Sequence, residues 1–221
     1  MEFAEKPIYA QLARIGKELS SPIRLRLLDL LDARERTVEQ LAAESGVPLK
    51  NTSAQLQRLH AAHLVTARKE GTRVYYRLAD DRVAQFLDAF QGFAEERLAD
   101  LRDTVAAHLG DPAELRPVAA AELAERLADP GVLVVDVRSP EEYAAGHVPG
   151  AVSVPMAELR AGTADLPWDV RIVAYCQGPY CVVSPQAVRI LRARGHDARP
   201  LDGGFTRWTR SRHATGPAGR A

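Results

Sequence analysis

Apolar residues in the first half of the chain recur at helical spacing and predict several short helices. The apolar face of the first helix consists of Ile8, Leu12, Ile15 and Leu19. A second helix is predicted to begin at Ser21-Pro22, because proline fits the first turn of a helix. Thr37 and Gln40 have the spacing of a capping box, which predicts the start of a third helix. A fourth helix follows a tight turn at Gly46.

Two strand-like runs and a long amphipathic stretch follow these helices. Residues 64–68 and 73–78 are rich in β-branched and aromatic side chains, and residues 69–72 between them predict a hairpin turn. One long helix is then predicted over residues 81–109. Its apolar stripe comprises Val83, Leu87, Phe90, Ala94, Leu98, Leu101 and Val105. Because this stripe is longer than a small domain needs, we expect the helix to pack against a second subunit.

The pattern changes after Gly110 to short apolar runs that alternate with helical stretches. The predicted strands are residues 132–136, 171–175 and 198–201. The helices predicted between them include residues 114–128 and 185–194. Fully apolar strands alternating with helices predict a parallel sheet that is covered on both faces. The chain is therefore expected to form a domain over residues 1–109, a linker over 110–117, a second domain over 118–213 and a disordered tail over 214–221.

Composition narrows the class of protein. The chain has 221 residues and two cysteines, which are too few for a disulfide framework and favour thiol chemistry in a reducing compartment. The sequence shows neither an apolar run of membrane-spanning length nor a signal-peptide core, so we expect a cytoplasmic protein with no membrane partner. The formal net charge is zero, but residues 50–77 hold six basic side chains against the single acid Glu70. A basic stripe of this kind is a candidate nucleic-acid contact surface, although a solvated surface balanced elsewhere would give the same pattern.

Two short helices joined by a glycine turn and followed by a hairpin are the element order of a winged helix-turn-helix. The second of these helices enters the major groove in that arrangement. The exposed candidates for base-edge and phosphate contacts on it are Asn51, Thr52, Ser53, Gln55, Gln57 and Arg58, and Lys50 is a further candidate. Arg68, Lys69 and Arg73 flank the predicted wing tip and are candidates for phosphate or minor-groove contacts.

Residues 8–108 resemble the ArsR-type family of small dimeric winged-helix repressors. The resemblance is carried by residues 53–59, by Leu64-Val65 and by the wing at residues 68–78; His63 stands where the family usually has glycine. It implies a mainly α-helical domain with a β-hairpin wing that binds double-stranded operator DNA at two half-sites. It also implies a homodimer formed through the first and last helices of this domain.

Many members of that family sense metals through cysteines in the third helix or through histidine and acidic residues in the last helix. The third helix of this chain has no cysteine. The last helix has Asp81, Asp88 and His108, which form no pair at ligand spacing. We therefore expect no metal site, and no other cofactor is expected.

Cys176 is the most informative residue of the second half. It follows the predicted strand at residues 171–175 and opens a loop that Cys181 closes, before a helix predicted to begin at Ser184-Pro185. Main-chain N–H groups and the helix dipole favour an anion at such a position. We therefore expect a lowered pKa for Cys176, which would make it a nucleophilic thiolate.

Residues 115–213 resemble a rhodanese domain. The resemblance is carried by Asp136-Val137-Arg138 with Glu142-Tyr143, by residues 146–151, by Cys176 at the start of the loop, and by residues 201–205 with Trp208. It implies an α/β domain with a central parallel sheet. It also implies that Cys176 takes sulfur from a small sulfane-sulfur donor as a persulfide and hands it to a low-molecular-weight thiol or to cyanide. For Asp136, Arg138, Glu142 and His147 we expect a structural role.

The loop after Cys176 is short and can curl around an anion. The N–H groups of Gln177, Gly178, Tyr180, Cys181 and Val182 are predicted to point inward, while Pro179 has none. Because the loop contains no arginine, phosphatase or arsenate reductase chemistry is disfavoured. Cys181 is open to two interpretations, as a small buried filler or as a thiol that resolves a Cys176 persulfide.

The sequence supports one main hypothesis and two alternatives. In the main hypothesis the protein is a sulfur- or redox-responsive transcriptional regulator, acting as a repressor. In the first alternative it is chiefly a sulfurtransferase whose DNA-binding domain controls its own operon without crosstalk. In the second, the rhodanese half is an inactive binding module. Sulfur transfer that depends on Cys176 would exclude the inactive binding module and leave the other two hypotheses.

Overall fold

The structure is a computed structural model that describes residues 3–211. Contacts divide the chain into two compact units, with the boundary after Phe93. The predicted tail at residues 214–221 and the predicted end of the second domain at residues 212–213 lie outside the described residues. The two units are described separately below.

The first unit is mainly helical and contains a small antiparallel sheet. Its elements are α1 (Lys6–Leu19), α2 (Pro22–Ala33), β1 (Arg36–Thr37), α3 (Val38–Ser45), α4 (Leu49–Ala61), β2 (Val65–Glu70), β3 (Arg73–Leu78) and most of α5 (Asp81–Arg97). The strand order is β1-β3-β2. Strands β2 and β3 pair from Val65↔Leu78 to Glu70↔Arg73, which confirms the predicted hairpin.

Local sequence signals account for the helix ends of this unit. Helix α2 begins at Pro22, and α3 begins with the predicted capping box, in which Gln40 N donates to Thr37 Oγ1 at 3.3 Å and Thr37 N donates to Gln40 Oε1 at 2.9 Å. Gly46 ends α3 in the left-handed conformation, with φ of 70°. Such a conformation is unstrained for glycine, so the predicted turn at this position is confirmed.

His63 adopts the left-handed conformation that explains why the ArsR pattern has glycine at this position. Its φ is 58°, and it follows the end of α4. Leu64 N donates to Leu59 O and His63 N donates to His60 O, both at 3.0 Å. These two bonds are those of a Schellman motif, which satisfies the last carbonyls of α4 and turns the chain into the wing.

Leucines from α2, α3 and α4 form the core of the first unit. The fully buried members are Leu27, Leu28, Leu41, Leu56 and Leu59. The sequence analysis missed β1, which adds a third strand through Arg36↔Tyr76 pairing. Arg36 is buried there because its guanidinium donates to Glu44 Oε2 at 2.9 Å and to Leu30 O. A buried, fully engaged arginine gives no apolar signal, so no strand was predicted.

The prediction of one continuous helix over residues 81–109 is wrong. The helix is interrupted at Leu98, which has extended backbone angles and separates α5 from α6 (Ala99–Leu109). The interruption costs little because Arg102 Nη1 donates to the carbonyl oxygens of Glu95 at 2.7 Å and Glu96 at 3.2 Å. Those carbonyls are among the last of α5 and would otherwise lack partners within the helix.

The second unit is an α/β fold around a parallel sheet. After α6 its elements are α7 (Pro112–Leu115), α8 (Ala120–Arg126), β4 (Val132–Asp136), α9 (Pro140–Ala145), β5 (Val152–Ser153), α10 (Met156–Ala161), β6 (Arg171–Tyr175), α11 (Val183–Ala193), β7 (Ala198–Pro200) and α12 (Gly204–Arg210). The four strands have the order β5-β4-β6-β7 and pair in parallel, which confirms the predicted sheet. Alternate side chains of β6 enter two apolar clusters, with Ile172 and Ala174 in one and Val173 and Tyr175 in the other.

The segment that joins the two predicted domains has secondary structure of its own. The helix predicted over residues 114–128 is instead two helices, α7 and α8, separated at Arg116, whose φ is 49°. Pro117 explains the separation, because a residue before proline avoids the right-handed helical conformation. Leu115 is buried in the core of the second unit. The domain bounds 1–109 and 118–213 stay a prediction.

Candidate functional site

Cys176 lies at the carboxyl end of the central strand β6. It is 2% exposed and is followed by the loop that leads into α11. The carboxyl ends of parallel strands are the usual place for a binding site in an open α/β sheet. The predicted cap at Ser184 is wrong: α11 begins at Val183 with Val182 as its N-cap, and the buried Ser184 hydroxyl donates to Ala174 O at 3.0 Å.

The start of α12 holds the backbone of this loop in place. Phe205 N donates to Cys176 O and Thr206 N donates to Gln177 O, both at 2.9 Å. Gly204 allows this close approach, since a Cβ atom there would lie 2.6 Å from Cys176 O. The glycine also has φ of 61°, a conformation that other residues adopt only with strain. The start of α12, which is the late part of the rhodanese-like pattern, is therefore a clamp on the active loop, the loop that follows Cys176.

The two cysteines form one coupled site. Both are free thiols, with Cys176 buried and Cys181 half-buried, and Cys176 Sγ lies 3.7 Å from Cys181 O. Burial and the neighbouring Cys181 raise the pKa of Cys176, and the N–H groups of Ser184 and Gly178 offset only part of this. The expected lowered pKa of Cys176 is therefore wrong.

Cys181 carries the acidic thiol instead. A hydrogen bond with the Cys176 thiol lowers the pKa of Cys181 to about 6, against the opposing effect of burial, and the N–H groups of Val183, Gln177 and Ser184 lower it further. The two pKa shifts have opposite directions, so ionisation of the pair is favoured at Cys181 over Cys176. A low thiol pKa beside hydrogen-bond donors is typical of a reactive cysteine.

The predicted ring of N–H groups around Cys176 is only partly present. Gly178 contributes to Cys176 and Gln177 to Cys181, while the N–H of Cys181 donates to Gly178 O at 3.2 Å and so does not point at the sulfur. Pro179 has no N–H to contribute. Val182 takes part through its carbonyl group, which accepts a hydrogen bond from the N–H of Gln186 in the first turn of α11.

A buried ion pair lies at the carboxyl end of β4, behind the loop that follows Cys176. Arg138 Nη2 lies 2.6 Å from Asp136 Oδ2, and both side chains are almost fully buried. The Tyr175 hydroxyl donates to the same Asp136 oxygen at 2.6 Å, and Arg138 Nη1 donates to Gln177 Oε1 at 3.3 Å. A buried pair of this kind is stable only with such additional hydrogen bonds. Its position behind the loop agrees with the structural role predicted for Asp136 and Arg138.

Glu142 and His147 also hold local structure. Glu142 completes a capping box with Ser139 at the start of α9. The His147 ring stacks on Tyr143 with 4.0 Å between ring centroids, and its Nδ1 lies 3.0 Å from Tyr143 O. These contacts agree with the structural role predicted for both residues.

A cavity of about 200 Å³ opens over the cysteine pair. Its walls include Val105 and Leu109 of α6, and Glu95 from the last turn of α5. The Tyr180 hydroxyl donates to Glu95 Oε1 at 2.7 Å, which places the carboxylate beside the loop. The sequence analysis missed these three wall residues, because a single acid and two apolar residues on a helix carry no motif. It named Tyr180 only for its N–H group.

The candidate DNA-contacting residues of α4 differ in accessibility. Lys50, Gln57 and Arg58 are exposed, whereas Asn51, Ser53 and Gln55 are half-buried. The prediction that Thr52 is exposed is wrong: its side chain is fully buried, and its hydroxyl donates to Val47 O at 3.2 Å.

Several of the polar candidates already have partners within the first unit. Arg58 Nη2 lies 3.0 Å from Glu18 Oε1, and Gln55 accepts from Arg24 at 2.9 Å. In the wing, Arg68 pairs with Glu35 and Glu70. Lys69 and Arg73 are exposed near the wing tip. A phosphate contact by Arg58 or Arg68 would therefore replace an existing ion pair.

Two helices of the first unit expose large apolar side chains. On α1 these are Ile8, Tyr9 and Leu12, which are 60–65% exposed. On α5 the set is Phe86, Phe90 and Phe93, which are 36–59% exposed. Exposed apolar side chains clustered in this way mark an interaction surface.

The described residues contain neither a metal-binding cluster nor a membrane-spanning helix. Within residues 3–211, no group of three or more histidine, cysteine or acidic side chains is arranged to hold a metal ion. In the same part of the chain, no helix combines the length and apolar character needed to cross a membrane.

Comparisons with known proteins match both halves. Residues 21–67 match the family described as bacterial regulatory protein, arsR family, and residues 119–211 match the rhodanese-like domain. The HTH-type transcriptional regulator Rv0324 of Mycobacterium tuberculosis is 47% identical over 198 residues, which are 90% of this chain and 87% of that protein. A sulfurtransferase of Allochromatium vinosum is 37% identical over 40% of this chain and 82% of its own length.

The first half of the chain is similar to a solved structure. The homodimeric winged helix-turn-helix DNA-binding domain of Mb0332 from Mycobacterium bovis is 42% identical, covers 45% of this chain and 93% of that domain, and superposes with a TM-score of 0.41. The match to Rv0324 spans nearly the whole of both proteins and includes both halves of this chain. The chain therefore belongs to the arsR family of bacterial transcriptional regulators and carries a rhodanese-like domain as its second half.

Proposed function

We propose that this regulator holds sulfane sulfur as a persulfide on Cys176 and that sulfur loading weakens its binding to operator DNA. The observation that carries the proposal is the cysteine pair at the carboxyl end of β6, because both cysteines line one cavity. A half-buried thiolate next to a buried thiol is an arrangement for nucleophilic sulfur chemistry.

Cys181 acts as the base in this proposal. As Cys176 Sγ attacks the outer sulfur of the donor, its proton passes to the Cys181 thiolate. The new bond joins Cys176 Sγ to that sulfur, and the donor's sulfur–sulfur bond breaks with its electron pair on the leaving group. The N–H group of Gly178 contributes to Cys176 alone and that of Ser184 to both cysteines, and they stabilise negative charge at Cys176.

The DNA-binding unit is proposed to act as a homodimer through α1 and α5. The exposed apolar side chains of Ile8, Leu12, Phe86 and Phe90 support this, because burying them against a second copy removes them from water. Two copies related by a twofold axis would present two α4 helices to two operator half-sites.

Arg58 is proposed to contact a phosphate of the operator. Its guanidinium is exposed, and it can exchange Glu18 for a phosphate oxygen. Arg58→Ala should weaken operator binding and lower the slope of log affinity against log salt by about one. Arg26→Ala is the matched control, because Arg26 is equally exposed but pairs with Asp29 within α2. An unchanged slope in Arg58→Ala would remove this residue from the interface.

A path from the sulfur site toward the DNA-binding unit is supported by one hydrogen bond. Tyr180, in the active loop, donates to Glu95 in the last turn of α5. The same helix carries Phe86 and Phe90 nearer its start. A change in the loop on sulfur loading would therefore act on the helix that is proposed to form the dimer.

An operator mobility shift tests the proposal. We expect isopropyl hydropersulfide to weaken operator binding of the wild type and to leave Cys176→Ser unchanged, with mass spectrometry showing one added sulfur in the wild type only. Loading without any effect on DNA would instead favour a sulfurtransferase that lacks crosstalk. Absence of both would favour an inactive rhodanese-like module.

A further inference from the structure

We infer that the cavity over Cys176 selects a sulfane-sulfur donor with a small apolar substituent and at most one negative charge, such as an alkyl hydropersulfide, over the dianion thiosulfate. The inference rests on the proposed function and names the donor class for the same site. Two features of the cavity carry it: the apolar walls and the sign of the charge inside.

The apolar walls come from both sides of the loop. The side chains that form them are Val105, Leu109, Leu115, Pro179, Pro185 and Leu201. The volume of about 200 Å³ suits a donor with a few heavy atoms. An apolar substituent gains free energy by leaving water for these walls, whereas a sulfonate-like group loses its hydration there.

The side chains that line the cavity carry a net negative charge. Among its described lining residues, the charged side chains are those of Glu95, Asp202 and Arg207. Arg207 pairs with Asp202, so its charge is largely compensated and Glu95 remains as an excess acid. The thiolate of Cys181 adds a second negative charge at neutral pH. A dianion approaching Cys176 therefore meets stronger repulsion than a donor that is neutral or singly charged.

The position of Glu95 makes this repulsion effective. Its carboxylate is half-buried and is held by the Tyr180 hydroxyl at 2.7 Å, on the loop that contains both cysteines. Partly buried charges are screened by salt much less than exposed ones. Glu95 is therefore the specificity-determining residue of the site, and it acts by excluding doubly charged donors.

The transfer balances without any further reactant. In R–S–S–H the outer sulfur bonds to Cys176 Sγ, the sulfur–sulfur bond of the donor breaks, and its electron pair leaves on R–S⁻. The proton of Cys176 moves to Cys181. The products are the Cys176 persulfide and a thiolate, which recovers a proton from water.

The experiment measures sulfur loading of the full-length protein by intact mass spectrometry. Isopropyl hydropersulfide and thiosulfate are compared as donors at one pH and ionic strength. The variant is Glu95→Gln, which removes the charge but keeps an acceptor for Tyr180. Glu96→Gln is the matched control, because Glu96 is an exposed neighbour on the same helix and does not line the cavity. Val105→Lys is a second variant that adds a positive charge to the wall.

We expect the wild type to load faster from the hydropersulfide than from thiosulfate. Glu95→Gln should raise the thiosulfate rate by about tenfold, since it removes one charge close to a dianion, and should raise the hydropersulfide rate by no more than about threefold, since that donor carries at most one charge. Val105→Lys should also raise the thiosulfate rate, and Glu96→Gln should change neither rate.

Two results would overturn the inference while leaving the proposed function intact. One is thiosulfate loading of the wild type as fast as hydropersulfide loading. The other is a thiosulfate rate that neither Glu95→Gln nor Val105→Lys changes. If neither donor gives sulfur loading that is lost in Cys176→Ser, the proposed function fails and the inference fails with it.

Discussion

Cys176 and Cys181 have the same side chain and different protonation states because their surroundings differ. Cys176 is 2% exposed and pays the full desolvation penalty of a buried charge, so its thiol stays protonated. Cys181 accepts a hydrogen bond from that thiol and from main-chain N–H groups, which stabilise its thiolate. The nucleophile and the base that we propose are thus two members of one pair.

Replacing Cys181 by serine should slow the reactions of Cys176. In the wild type, reactivity should rise as the pH increases through about 6, because Cys181 becomes the thiolate base above its pKa. Without that base, Cys176 must ionise by itself, and its pKa is raised by burial. We expect a rate about 100-fold lower at neutral pH, with the midpoint moved to higher pH.

The measurement is the alkylation rate of Cys176 as a function of pH, with the modified residue identified by mass spectrometry. Cys176→Ser serves as the control that reports reaction at Cys181 alone. A Cys181→Ser protein with the wild-type rate and midpoint would show that Cys181 is only a buried filler.

Gly204 should be essential for the geometry of the active loop. In Gly204→Ala the new methyl group would lie 2.6 Å from Cys176 O, so the loop must shift. Sulfur loading should fall by roughly 100-fold, because a shift of about 1 Å in a reacting group has an effect of this size. Gly150→Ala is the matched control: Gly150 also has positive φ, at 75°, but no atom lies within 4 Å of the added methyl. Equal loading in both variants would refute the proposed clamp.

At the scale of elements, the sequence predicted what local rules control. The wing, the capping box of α3, the turn at Gly46 and strands β4 and β6 were predicted because turn residues, caps and apolar runs act over a few positions. The interruption at Leu98 was not predictable, since it depends on Arg102 bonding to the end of α5. The pKa values of the cysteines depend on burial and on each other, and no motif encodes them.

The exposed apolar side chain of Leu12 on α1 offers a test of dimerisation. Leu12→Lys puts a charge where burial is expected, and the twofold axis doubles the effect. We expect the dissociation constant of the dimer to rise by about 100-fold or more, from the loss of two buried leucine side chains. Gln11→Lys is the control, because it adds the same charge at a neighbouring exposed polar position.

Analytical ultracentrifugation over a range of protein concentrations would measure this change, and operator binding should weaken in parallel. A Leu12→Lys protein that dimerises like Gln11→Lys would place the dimer interface elsewhere.

At the scale of the whole molecule, one helix belongs to both units. Helix α5 begins in the first unit with Phe86 and Phe90 exposed and ends in the second with Glu95 at the sulfur cavity. Regulation requires that loading at one site change the free energy of binding at the other. The hydrogen bond from Tyr180 to Glu95 is a candidate for this coupling, because it joins the active loop to that helix.

Tyr180→Phe should separate sulfur loading from the response of DNA binding. The hydroxyl is lost while both cysteines and the ring remain, so we expect loading from isopropyl hydropersulfide, which Glu95 does not exclude, at the wild-type rate. The loss of operator affinity on loading, which typical couplings place at roughly 5- to 150-fold, should shrink toward no change. Tyr143→Phe is the matched control, because it removes another tyrosine hydroxyl of the same unit, one that donates to Ala151 O at 2.7 Å. If Tyr180→Phe retained the full wild-type response, the coupling would have to pass through contacts other than Glu95.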